Sequence, residues 1–152
     1  LVKNLNTSFE EKNKKNENPS QVHYQIDCLN NNSYLYEYEI IYDNEKIVFK
    51  GIKGDNDFRE FPHAHFLNIY NLNQILKNAK IVETNTNMLM YEIGNQELND
   101  LYQENEIIND NINTIKVFVD TNYCLKSFEM DLSNYIEDFS SYQIKGKYEV
   151  IE

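Results

Sequence analysis

The hydrophobic positions of this chain change period as they run from one end to the other. Leu1, Leu5 and Phe9 stand four apart, which gives a short helix one apolar stripe. From Glu10 to Ser20 no large apolar residue occurs, and Pro19 stops any helix before the next element. Residues 1–20 therefore read as a helix followed by a solvated linker. At Val22 the period becomes two. Val22, Tyr24, Ile26 and Cys28 alternate with His23, Gln25 and Asp27, which predicts a half-buried strand, and Asn30-Asn31-Asn32-Ser33 predicts a turn. Tyr34, Tyr36, Tyr38, Ile40 and Tyr42 then share one face of a second strand, with Leu35, Glu37, Glu39 and Ile41 on the other. Asp43-Asn44-Glu45 turns the chain into a third strand over Lys46–Lys53, completing an antiparallel meander.

The middle of the chain mixes periods. Gly54–His65 is polar and irregular, and Pro62 forbids a regular central strand. Leu72, Ile75, Leu76 and Ala79 fall at the spacing of one helical stripe, with Asn71 placed to cap it. Two short strands follow at Ile81–Thr84 and Met88–Ile93, and Gly94-Asn95 opens a helix bearing Leu98, Leu101 and Tyr102. The last third returns to strands. Ile115, Val117 and Val119 mark one, and Asp120-Thr121-Asn122 is a tight turn. Cys124, Lys126, Phe128, Met130 and Leu132 form one face of the next strand. A polar connection over Ser133–Ser141 leads to a final strand with Tyr142, Ile144, Gly146, Tyr148 and Val150 on one face. Antiparallel runs interrupted by a few short helices predict an α+β fold, a single domain over residues 21–152. Its centre is one curved antiparallel sheet, with helices covering the inner face and water on the other.

Three segments carry a family likeness: Thr114–Asp120, Tyr123–Leu132 and Tyr142–Val150. As three consecutive antiparallel strands ending the chain, they resemble the half-barrel domains of extracytoplasmic lipoproteins of the LolA and LppX type, in the divergent versions of low-GC Gram-positive bacteria. Weaker support extends over Val22–Lys53. The resemblance implies a half-barrel whose concavity holds a lipid-like or other apolar ligand, or a fold that simply displays a surface. The family's acylated cysteine would lie upstream of Leu1, and no catalytic residue is implied.

Composition narrows the function classes. The 152 residues carry 14 Lys and Arg against 25 Asp and Glu, a formal charge of -11. That balance argues against nucleic acid as a partner, because a broad cationic footprint is missing. The mean hydropathy of -0.68 and the lack of a long apolar run argue against a membrane span. Tyr 12, Phe 8 and no Trp, with only two alanines and Arg59 as the single arginine, reflect the codon bias of a very AT-rich genome. Such a bias lowers the weight of any Asn or Lys run. The chain opens at Leu1 without a methionine, which is read as the loss of a secretion signal, an anchor or another domain upstream.

Candidate chemistry is sparse. Phe61-Pro62-His63-Ala64-His65-Phe66 is the sharpest local feature. Two histidines two apart on an extended segment would chelate one metal, with Asp55, Asp57 and Glu60 just upstream as further ligands. The plainer alternative, a polar loop with its histidines satisfied by backbone, carries more weight. Cys28 and Cys124 would pair if their strands lie adjacent, and otherwise stand as two small buried hydrophobes. Tyr34, Tyr36, Tyr38 and Tyr42 would line a ligand cavity with rings and hydroxyl handles, or pack against helices as an ordinary core face. Asp55-Asn56-Asp57 lacks the rest of an EF-hand loop. The Asn6-Thr7-Ser8 and Asn31-Asn32-Ser33 sequons are matches that an Asn-rich chain supplies by chance.

The expectation is a non-enzymatic, extracytoplasmic, cell-surface-anchored domain that holds an apolar or lipid-like molecule or presents a surface to a protein partner. It expects no cofactor and no membrane contact except through an upstream anchor. The competing expectations are a metal-dependent enzyme or metal-binding protein centred on His63 and His65, and a purely structural interaction module.

Overall fold

The computed structural model describes residues 27–30, 32–53, 61–103 and 109–151. The apolar stripe at Leu1–Phe9, the linker and the strand positions Val22–Ile26 lie outside them, as do Asp55, Asp57, Arg59 and Glu60. The described chain begins with a helical turn, α1 (Asp27–Asn30), followed by the strands β1 (Ser33–Tyr42) and β2 (Glu45–Ile52). A 3₁₀ turn (Ala64–Leu67) leads into α2 (Ile69–Asn78), then β3 (Lys80–Asn85), β4 (Met88–Gly94) and α3 (Asn95–Tyr102). The strands β5 (Ile112–Val119), β6 (Leu125–Asp131) and β7 (Tyr142–Ile151) complete the described chain.

The seven described strands form one open antiparallel sheet in the order β2-β1-β7-β6-β5-β4-β3. The fold is α+β, as the periodicity predicts. β3 to β7 are a simple meander, and the β1–β2 hairpin docks onto the last strand. Asp43 and Asn44 turn that hairpin with φ of 47° and 66°, the two-residue geometry whose twist matches the strands it joins.

Alternation decides which face is buried. Along β1 the pattern puts Tyr34, Tyr36, Tyr38 and Ile40 inward and leaves Leu35, Glu37 and Glu39 more exposed. The inward residues form one continuous core with Leu72, Ile75 and Leu76 of α2, Leu98 of α3, Phe66 and Leu67 of the 3₁₀ turn, and Leu29 of α1. Glycines make room in that core. Gly146 is opposite both Tyr38 on β1 and Phe128 on β6, and a Cβ there would meet the Phe128 ring and lie 2.9 Å from Tyr38. Gly51 gives the same space beneath the Tyr36 ring. The aromatic faces thus close directly over the backbone at both glycines.

Four local expectations are corrected. Cys28 lies in a helical turn and not in a strand: Asn32 donates through its backbone N–H to the Leu29 carbonyl (3.3 Å) and through Nδ2 to the Cys28 carbonyl (2.6 Å), closing the chain on itself. The cap of α2 is Asn68, whose Oδ1 accepts from the Tyr70 N–H at 2.8 Å, while Asn71 donates to the His65 carbonyl. On β6, a register shift opposite Phe118/Val119 turns Leu125 inward and leaves Lys126 exposed, so Cys124 and Lys126 do not share the face of Phe128. The Ser133–Ser141 connection is not wholly polar. Tyr135 and Ile136 are fully buried, held by N–H bonds of 2.9 Å from both residues to the Leu132 carbonyl.

Candidate functional site

The tyrosine stripe is a packed layer. Tyr34, Tyr36 and Tyr38 are only 8%, 5% and 4% exposed. Tyr36 stacks on Tyr38 at 4.9 Å between ring centres, and Tyr148 meets both Tyr34 and Tyr38 edge-on at 5.9 Å. Tyr42, half-buried, leans on Phe61 and Phe139. Burial pushes the Tyr38 hydroxyl far above its ordinary range, partly offset by its hydrogen bond with Tyr148, and burial likewise raises Tyr34. These groups remain neutral hydroxyls at any physiological pH.

The opposite face of the same three strands is open. A groove of about 550 Å³ runs over the β2–β1–β7 end. Its walls are the outward-facing Leu35, Glu37, Lys50, Ile52, Lys147 and Glu149, and Tyr36, Gly51 and Tyr148 form its floor. Leu35 and Ile52 are direct cross-strand partners and remain 40% and 50% exposed. Lys50 Nζ sits 3.2 Å from Glu37, and Lys46 3.7 Å from Glu39. The groove therefore combines an aliphatic centre with the Lys50–Glu37 pair on its wall, a combination suited to an amphiphilic ligand.

His63 and His65 sit on either side of Ala64 at the start of the 3₁₀ turn. His63 is in the left-handed region at φ 63°. Its side chain is almost buried, with Nε2 3.7 Å from the Asp138 carboxylate and the ring edge-on to Tyr142 at 5.5 Å. His65 packs between Phe66 and Tyr102. The two imidazole centres are 6.5 Å apart. That is wider than the roughly 5.3 Å between two imidazole centres sharing one tetrahedral ion bound at ~2.1 Å. Among the described residues no group of three or more His, Cys, Asp or Glu is placed to hold a metal.

Cys28 and Cys124 do come together, in a disulfide with their Cα atoms 5.6 Å apart. It joins α1 to the turn between β5 and β6. There the Asp120 carboxylate accepts from the Asn122 N–H (2.8 Å) and the Cys124 N–H (3.1 Å).

Two polar clusters had no separate signal in the sequence. In the first, Asn95 and Asn113 are fully buried. Asn113 Nδ2 donates to Asn95 Oδ1 (2.8 Å) and the Ile93 carbonyl (3.2 Å). Asn95 Nδ2 donates in turn to Asn109 Oδ1 (2.9 Å) and the Asn134 carbonyl (2.7 Å). In the β1–β2 turn, the Asp43 carboxylate accepts from the Ser140 N–H (2.6 Å), the Ser140 hydroxyl and the Ser141 N–H, while Ser141 Oγ accepts from the Asp43 N–H (3.1 Å). The Ser140 hydroxyl and these backbone bonds hold Asp43 below the usual carboxylate range. Both clusters tie loops to strand ends.

No protein-family model matches the chain, and no curated protein matches it by sequence. Among the described residues no helix is long and apolar enough to cross a membrane.

Proposed function

We propose that this domain is a non-enzymatic, extracytoplasmic module that binds an apolar or lipid-like molecule or displays a surface to a protein partner. The likeness of its last three strands to the half-barrel lipoprotein domains belongs to this reading, but the groove lies on the face turned away from the helices and not in the concavity which that likeness implies. The observation that carries it is the contrast between the two faces of β1. The tyrosine side is filled by rings that touch one another, whereas the other side offers the Leu35–Ile52 groove with no side chain to displace. A ligand on the tyrosine side would have to part stacked rings; one in the groove would not. The disulfide supports the compartment, because such bonds persist in oxidising surroundings and are rare in the cytosol.

Native mass spectrometry of the freshly purified protein, beside a denatured control, tests the proposal. A retained mass of lipid size, lost on denaturation and absent from Leu35→Glu, is the expected result. A bare mass removes the ligand half of the proposal and leaves surface display. A retained mass that survives Leu35→Glu moves the ligand away from the groove.

A further inference from the structure

The cross-strand register orders the outward-facing side chains into rows, and the rows have a symmetry that alternation alone does not require. From β2 through β1, β7, β6 and β5 to β4, the central row reads Val48, Glu39, Lys145, Glu129, Lys116, Met90. The row on one side reads Lys46, Ile41, Gln143, Asp131, Thr114, Glu92, and the row on the other reads Lys50, Glu37, Lys147, Ser127, Phe118, Met88. Together these rows hold five lysines and five carboxylates, while the chain as a whole carries -11. The excess negative charge lies elsewhere, so this is the face on which two such acidic chains approach with least repulsion.

We propose that the outer sheet face is an interface between two copies of this chain, related by a two-fold axis running along the strands between β6 and β7. The Lys50, Glu37, Lys147 row of that face is also one wall of the Leu35–Ile52 groove, which therefore lies at the margin of the interface. Such an axis brings each strand of one copy onto its mirror position in the other: β7 onto β6, β1 onto β5, β2 onto β4. In the central row Lys145 of one copy then faces Glu129 of the other, Glu39 faces Lys116, and Val48 faces Met90. In the flanking rows Lys46 faces Glu92, Gln143 faces Asp131, Lys147 faces Ser127, and Glu37 faces Phe118. No two like charges meet, and every pairing occurs twice, as an isologous contact requires. Placing the axis on β7 instead would set Glu39 against Glu129, and placing it on β6 would set Lys145 against Lys116. The line between them is the one that complements itself. With strands ~4.8 Å apart and ~3.3 Å per residue, six strands by the five residues these rows span cover roughly 480 Å². That is below the roughly 800 Å² per partner of a standard specific interface and in the range of a weak one. Sheets packed face to face with aligned strands are a common arrangement.

Charge exchange tests the proposal in a way that no structural role of a single residue reproduces. Sedimentation equilibrium at physiological ionic strength should show the natural chain as a dimer. Lys145→Glu alone and Glu129→Lys alone should each sediment as monomer, with thermal melting unchanged beyond a few degrees. Mixed in equal amounts, the two variants should recover the dimer. In the mixed pair the carboxylate introduced at position 145 of one copy faces the ammonium introduced at position 129 of the other, and the remaining natural pair stays intact. Lys116→Glu with Glu39→Lys provides a second exchange on the same axis, should either first variant fail to fold. A natural chain that stays monomeric at several hundred micromolar overturns the proposal. So does a dimer that survives the single reversals, or a mixture that fails to restore it; a dimer held by another surface, such as the edge of β2, would give the second of these results.

Discussion

Tyr38 and Glu39 are neighbours on β1, and they are held by different forces. Tyr38 points into a layer where it touches Tyr36, Tyr148 and Phe128 and lies over Gly146. Glu39 points to a half-exposed lattice, opposite Lys145 and within 3.7 Å of Lys46. On the inner side, stability comes from area removed from water and from shape, so each side chain constrains its neighbours. On the outer side, an ion pair in high dielectric is worth about 0–1 kcal/mol, and substitution is tolerated. The inner face therefore fixes the fold, and the outer face is free to be shaped by recognition.

Substitutions can break this comparison at graded depths. Phe128→Ala should have the largest effect, about 3–5 kcal/mol in denaturant unfolding, because it empties the space over Gly146 that no neighbour can refill. If it costs no more than a surface change, the inner face is not the rigid layer described. Asn113→Ala should follow at about 1–3 kcal/mol: it strips the donor from Asn95 Oδ1 and from the Ile93 carbonyl, both at a buried strand end. Hydrogen exchange should localise the loss to the start of α3 and β5.

Asp43→Asn should produce a smaller, pH-dependent effect. The folded-state acidity of Asp43 is raised by Ser140 and Ser141, so its carboxylate stabilises the fold above the unfolded carboxylate range. That contribution disappears as pH falls through the lowered folded value. Melting curves of the natural chain and the variant should differ near pH 7 and converge in strong acid; a constant gap across the range would exclude the carboxylate as its source. Lys50→Gln, which removes the 3.2 Å pair with Glu37, should change stability by no more than about 0.5 kcal/mol. A larger loss would mean that the outer face also carries the fold.

Strands were the most legible part of the sequence, because burial on one side writes itself as strict alternation. Tyr34 to Ile40 and Tyr142 to Tyr148 have that pattern, and the observed elements follow it closely. Departures arise where the local rule has a competitor. The alternation through Cys124 and Lys126 is broken by one extra residue, which no period-two reading can locate. Asn68 takes the cap instead of Asn71 because the helix begins earlier, at Ile69, whose apolar side chain continues the stripe one turn back. Tyr135 and Ile136 are two adjacent apolar residues in a polar run, too few to make a period. The buried pair Asn95 and Asn113 was hidden by abundance: in an Asn-rich chain nothing in the residue type separates these from solvated ones. The candidate site shows the same division. The stripe of tyrosines was evident, but its packing against Gly146 and Gly51 depends on cross-strand register, and so does the groove on the reverse side.

The docking of the first hairpin onto the last strand has a consequence for synthesis. The longest ladder in the sheet pairs Ser33–Tyr42 with Tyr142–Ile151, so β1 finds its central neighbour only when the last strand has emerged. Until then β1 and β6 each lack the neighbour that β7 supplies. Closing a loop of about a hundred residues is slow beside forming the hairpins. A nascent or exported chain would thus stay open until β7 is free. It would then join at a seam in the middle of the sheet, with the Cys28–Cys124 bond sealing residues 96 apart in sequence.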